Sequence, residues 1–166
     1  MGNQKKIFVA SSNNERGFAE KISGMLEEIE DVKVISWWED GIFIPGQITL
    51  KEVLRAAQEC DAGVFIFEDI IESANEKNQE NIYSGVEKSD TTIKINENIL
   101  IEAGMFCGMR DSSSICLLKH AESDIKIPSD FSGMTIIIHS DDKKYKTKAK
   151  LRAWIENLDE HSGKYI

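Results

Sequence analysis

Histidine is scarce in this chain, with His120, His139 and His161 the three in 166 residues. All three fall in or beyond the fourth apolar segment, which argues against a Ser-His-Asp device. Cys60, Cys107 and Cys116 are odd in number and show no metal-ligand spacing, so they read as buried thiols of a reducing compartment. No apolar run approaches the roughly 20 residues that a membrane helix needs. Residues 1–6 lead straight into a short apolar strand, so no signal peptide is expected. Gly2 suggests an acylation signal, but Lys6 stands where that motif wants Ser or Thr. Also missing are a P-loop, G-x-G-x-x-G, H-E-x-x-H, C-x-x-C and G-x-S-x-G. The net charge of −9 argues against a nucleic-acid partner. The expectation is a soluble, cytoplasmic domain with no membrane contact, no metal and no resident cofactor. If it is an enzyme, a carboxylate must do the work.

What is present is a rhythm. Short apolar runs at 7–10, 32–38, 62–67, 114–118 and 134–138 alternate with helical spacing at 15–28, from 49 to about 60, at 98–109 and at 146–158. That alternation predicts an α/β domain over 1–160, a flavodoxin-like five-stranded parallel sheet with helices on both faces. The second helix is expected to present Leu50, Val53, Leu54 and Ala57 on one face, and the last to rest on Ala149, Leu151, Trp154, Ile155 and Leu158. Between 39 and 47 an apolar centre, Ile42-Phe43-Ile44, sits between turn signals, either tucked into the core or kept as a contact surface. The acidic stretch from 72 to 90 is too long for an ordinary connection and reads as a lid or a partly ordered excursion. Residues 161–166 have the composition of a linker.

The stretch that carries chemistry runs from 96 to 109. It is an apolar helix opened by Asn residues suited to capping, and Glu102 is the single charge between Asn98 and Met109. On a helix Glu102 neighbours Asn98, Ile99, Met105 and Phe106. Burying an unpaired carboxylate costs several kcal/mol, or the group protonates instead. The blander reading is a Glu at the rim of a buried helix. Gly104 and Gly108 suggest a close approach of this helix to another backbone. Two acids, Glu68 and Asp69, end the third strand, at the edge where open α/β sheets bind ligands.

The order of elements resembles a TIR domain. More specifically, it is similar to the bacterial TIR-like family first described as predicted nucleotide-binding proteins, found in cyclic-oligonucleotide antiphage systems. Four places carry the resemblance: Trp38-Glu39-Asp40-Gly41-Ile42-Phe43 with Pro45-Gly46; Phe67-Glu68-Asp69-Ile70; the helix Asn98-x-x-x-Glu102-x-Gly104-x-Phe106-x-Gly108; and Pro128-Ser129-Asp130. Departures are Asn96-Glu97 where the family commonly has Arg or Arg-Asp, Ala103 for a common Leu, Glu68 where Asp is usual, and the long acidic excursion.

The resemblance implies cleavage of the nicotinamide–ribose bond of NAD⁺, with Glu102 as the catalytic residue and NAD⁺ as substrate rather than cofactor. It also implies an effector of antiphage defence, activated by self-association through the 40–47 loop. A C-terminal cyclic-nucleotide sensor of STING or SAVED type would lie beyond 161–166. The chemistry is compatible: nicotinamide leaves from a ring already cationic, so one carboxylate suffices where ordinary glycosidases need two. Ala10, Ser11 and Ser12 at the end of the first strand are candidates to bind ribose or phosphate. Trp38 and Phe43 are candidates to stack on a ring, although core packing explains Trp38 equally well. Asp40 and Asp69 could bond ribose hydroxyls, and Asn98 could line the pocket one turn before Glu102. The alternatives are a non-catalytic TIR scaffold that signals by self-association and a nucleoside deoxyribosyltransferase-like enzyme.

Overall fold

The computed structural model describes residues 4–11, 16–36, 49–67, 70–72 and 92–161. The chain runs β1 (Lys5–Ala10), α1 (Arg16–Glu27), β2 (Val32–Ser36), α2 (Thr49–Glu59), β3 (Ala62–Phe67), β4 (Ile70–Glu72), β5 (Thr92–Lys94), α3 (Glu97–Met109), β6 (Ile115–His120), β7 (Thr135–His139) and α4 (Lys144–His161). Five strands form one sheet in the order β2-β1-β3-β6-β7, and every pairing in it is parallel. This is the doubly wound arrangement anticipated from the alternation of segments.

The three central strands, β1, β3 and β6, are apolar on both faces because both faces are covered, whereas the edge strands β2 and β7 leave Lys33, Ile136 and Ile138 exposed. Ile7 and Val9 of β1, Val64 and Ile66 of β3, and Cys116 and Leu118 of β6 point to one side, where Ala19, Ile22 and Leu26 of α1 meet Leu151, Trp154 and Ile155 of α4. The alternate residues Phe8, Phe65, Phe67, Ile115 and Leu117 point to the other side, beneath Ala56 and Ala57 of α2 and Ile99, Ala103 and Phe106 of α3. In that second core Phe106 stacks on Phe8 at 5.7 Å and meets Phe65 edge-on at 5.4 Å. Gly63 makes room for this trio: a Cβ there would lie 2.7 Å from the Phe65 ring.

Several sequence expectations need correction. Leu50 and Leu54 are 46% and 40% exposed; the buried side of α2 is Val53, Ala56 and Ala57. Ala149 is exposed, and Thr147 takes its place on the inner face of α4. Gly104 and Gly108 are also exposed, and a Cβ at either would meet nothing within 4 Å among the described residues. Their positions lie nearly opposite Ile99, Ala103 and Phe106 on the helix, so they serve no close approach to the core. The acidic excursion has structure at its two ends: β4 and β5 pair antiparallel, Ile70 with Lys94 and Glu72 with Thr92. Cys60 and Cys116 are buried free thiols, and Cys107 is half-buried. The chain from 143 to 152 concentrates six cations that the overall charge conceals; Lys148 among them pairs with Glu28, the residue after α1. Residues 162–166, read as linker, lie outside the described residues, while α4 itself continues through His161.

Candidate active site

α3 begins one residue earlier than its apolar pattern, because Asn96 caps it and accepts a hydrogen bond from the Asn98 backbone N–H at 3.0 Å. At its other end the Arg110 side chain donates to the Ala57 and Gln58 carbonyls at 2.9 and 2.8 Å, satisfying the last turn of α2 with a cation. The two helices pack together, and this contact puts their C-terminal ends side by side. Because each helix leads into a parallel strand, both N-termini point to the edge where β1, β3 and β6 end. Ligands of doubly wound sheets bind at that edge.

Glu102 sits in the second turn of α3, one helical turn from the buried side chains of Ile99 and Phe106. It is half-buried, and among the described residues it makes no hydrogen bond or ion pair. Desolvation alone pushes its carboxyl from an ordinary 4.5 up to about 7. A group so placed exchanges its proton near neutrality and gains strongly from any cation brought beside it.

The other predicted site residues divide in two. Ala10 ends β1, fully buried in the same core as α3, and Ser11 follows it, 7% exposed. Both are therefore at the ligand edge next to β3. Asn98 is exposed, on the solvent side of Glu102, with its backbone engaged by the cap. Ser12, Trp38, Asp40, Phe43 and Asp69 lie outside the described residues, as does the 40–47 loop.

One carboxylate was not singled out in the sequence. Glu52, in the first turn of α2, is 4% exposed, and its Oε2 has no hydrogen-bond partner among the described residues, the nearest cation being Arg55 at 3.9 Å. Its signal was Thr49-Leu50-Lys51-Glu52, the spelling of a capping box.

The fold and this edge define a doubly wound α/β domain with a half-buried carboxylate, Glu102, on the helix that leads into β6. A model of the family described as "CAP12/Pycsar effector protein, TIR domain" matches residues 6–142, so the chain belongs to that family of bacterial antiphage TIR domains. It is 29% identical over 137 residues to CD-NTase-associated protein 12 of Niabella drilacis, covering 80% of this chain and 39% of that protein. It is 27% identical over 157 residues to the Pycsar effector protein BcPycTIR of Burkholderia cepacia, covering 94% of this chain and 47% of that protein. The chain thus spans less than half the length of either relative. A solved structure, the CMP N-glycosidase BcmB of Clostridium botulinum, superposes with a TM-score of 0.53 at 19% identity, covering 89% of this chain and 98% of that one. That likeness concerns the fold.

Proposed function

We propose that this domain hydrolyses the N-glycosidic bond between nicotinamide and ribose of NAD⁺, as the effector part of an antiphage protein. The observation that carries the reading is Glu102: a carboxylate desolvated on an apolar helix whose N-terminus points to the ligand edge, without a partner among the described residues. As the C–N bond breaks, its electron pair neutralises the pyridinium and positive charge moves to the ribosyl. A carboxylate in a poorly hydrated site stabilises that cation, or attacks it, far better than it would in water. Water then adds at that carbon and gives up one proton to solvent, leaving the carboxylate free, and ADP-ribose is released. Ala10 and Ser11 offer the strand end that would hold the ribose or phosphates, and Ser12, Trp38, Asp40, Phe43, Asp69 and Asn98 complete the proposed contacts.

The direct test is incubation with NAD⁺ at high protein concentration, measuring nicotinamide, beside nucleosides with a second free base to detect exchange. Nicotinamide release supports the proposal. Base exchange without it would transfer the site to deoxyribosyl chemistry, and neither product would leave a scaffold. The pH profile gives a second check. Glu102 must be ionised in the free enzyme, so kcat/KM is expected to rise tenfold per pH unit up to about 7 and then level off. The kcat profile should be displaced to lower pH, because the bound cationic ring favours the carboxylate. A kcat/KM unchanged through that range would remove Glu102 from the ionisation step.

Assembly belongs to the same proposal. The apolar Ile42-Phe43-Ile44 set invites cover by a second copy, and a cyclic-nucleotide sensor elsewhere in the protein would bring copies together. Specific activity is then expected to rise steeply with concentration across a dilution series, and more so when the domain is fused to an oligomeriser. Full activity at every dilution would mean that one copy holds a complete site.

A further inference from the structure

Away from Glu102, a second polar cluster is built where β6 and β7 end. His120 closes β6, His139 closes β7, and Asp141 follows in the turn that starts α4. Each histidine places its Nε2 3.2 Å from a different oxygen of the Asp141 carboxylate. The second ring nitrogens are engaged too. His139 Nδ1 lies 2.7 Å from the Thr147 hydroxyl, and His120 Nδ1 accepts from the Glu122 backbone N–H at 3.3 Å. His139 and Thr147 are buried, His120 is half-buried, and the Phe18 ring of α1 packs against both imidazoles. Among the described residues no such group is arranged to hold a metal ion.

The partners determine where the hydrogens sit. An ionised carboxylate only accepts, so each Nε2 facing Asp141 must carry hydrogen. A backbone amide only donates, so Nδ1 of His120 must be bare. His120 is therefore neutral in this arrangement. His139 differs, because the Thr147 hydroxyl can turn to accept if Nδ1 is protonated. Asp141 is held as a carboxylate: hydrogen bonds from His120 and His139, with Lys21 adding to them, keep its carboxyl below the usual range. Among the described residues the charged groups around the cluster are Lys21 of α1, 3.9 Å from Asp141, Asp142 and Lys143 following Asp141, and Lys119 and Glu122 flanking His120.

We infer that His120, locked by Asp141, is a proton-operated latch on the turn that follows β6. Protonating its Nδ1 sets two donors against each other and breaks the Glu122 bond, in exchange for a charged pair with Asp141. The turn is otherwise tied by Ala121 N–H to the His139 carbonyl at 2.7 Å and Ser123 N–H to the His120 carbonyl at 3.0 Å. It opens the 121–134 connection, whose Ile125, Ile127, Phe131 and Met134 pack into the core shared with Ile99, Ala103 and Phe106 of α3. Acidification thus loosens one wall behind the helix that carries Glu102, whatever reaction that helix serves.

The test is NMR of the chain itself, following imidazole nitrogen shifts and Glu122 amide exchange across the histidine titration. The expected result is His120 with hydrogen on Nε2 at high pH. The Glu122 amide should then lose about 3- to 10-fold of its protection, corrected for intrinsic exchange, at the midpoint where His120 gains its second proton. Hydrogen on Nδ1 at high pH, or Glu122 protection indifferent to His120 titration, would overturn the latch.

Discussion

Replacing Glu102 by Gln is expected to lower NAD⁺ cleavage about 10²–10³-fold while leaving the domain at least as stable. The amide keeps shape and hydrogen-bonding capacity but brings no charge to the ribosyl cation. The stability side follows from the same desolvation. The folded carboxyl is raised from 4.5 to about 7, so the folded state holds this proton more tightly than the unfolded chain. Stability is therefore highest below the ordinary value and falls as pH rises towards 7, where the bare charge costs ~1–3 kcal/mol. Glu102→Gln should melt higher than the parent at about pH 8, with the difference shrinking as pH falls and gone below about pH 4. Unchanged turnover in the variant would falsify the catalytic assignment. Equal melting at both pH values would mean the carboxylate is well hydrated.

Phe106→Ala should produce the largest loss of stability, ~3–5 kcal/mol in denaturant unfolding. The ring is fully buried, is stacked on Phe8 and stands edge-on to Phe65, so truncation leaves a cavity between α3 and the sheet. Because Phe106 lies one turn beyond Glu102, activity should fall further than the unfolded fraction accounts for. Ile101→Ala, at a 50% exposed position of the same helix, should stay within about 0.5 kcal/mol of the parent. A Phe106→Ala loss no larger than that of Ile101→Ala would mean the aromatic trio contributes no packing.

The sheet was legible in the sequence because its central strands are short apolar runs, unbroken in Ala62–Phe67. Glu102 was legible for the opposite reason, as one charge in an apolar window. Less could be read where faces mattered. Leu50 and Leu54 repeat at helical spacing as convincingly as Val53 and Ala57, yet they face water, since periodicity names a stripe without saying which neighbour covers it. The three-residue strands β4 and β5 carry too few residues for any period. The latch at His120 had no local signature, because its members come from two strands, a turn and α4, brought together only by the sheet.

The short antiparallel ladder between β4 and β5 has a consequence for how this domain can be altered. By pairing Ile70 with Lys94 and Glu72 with Thr92, it closes the chain on itself between the end of β3 and the start of α3. Whatever lies between those rungs is a closed loop, and doubling a closed loop's length adds only about 0.6 kcal/mol of closure entropy. A reporter, an epitope or a second binding module spliced between Glu72 and Thr92 is thus expected to cost little in closure entropy.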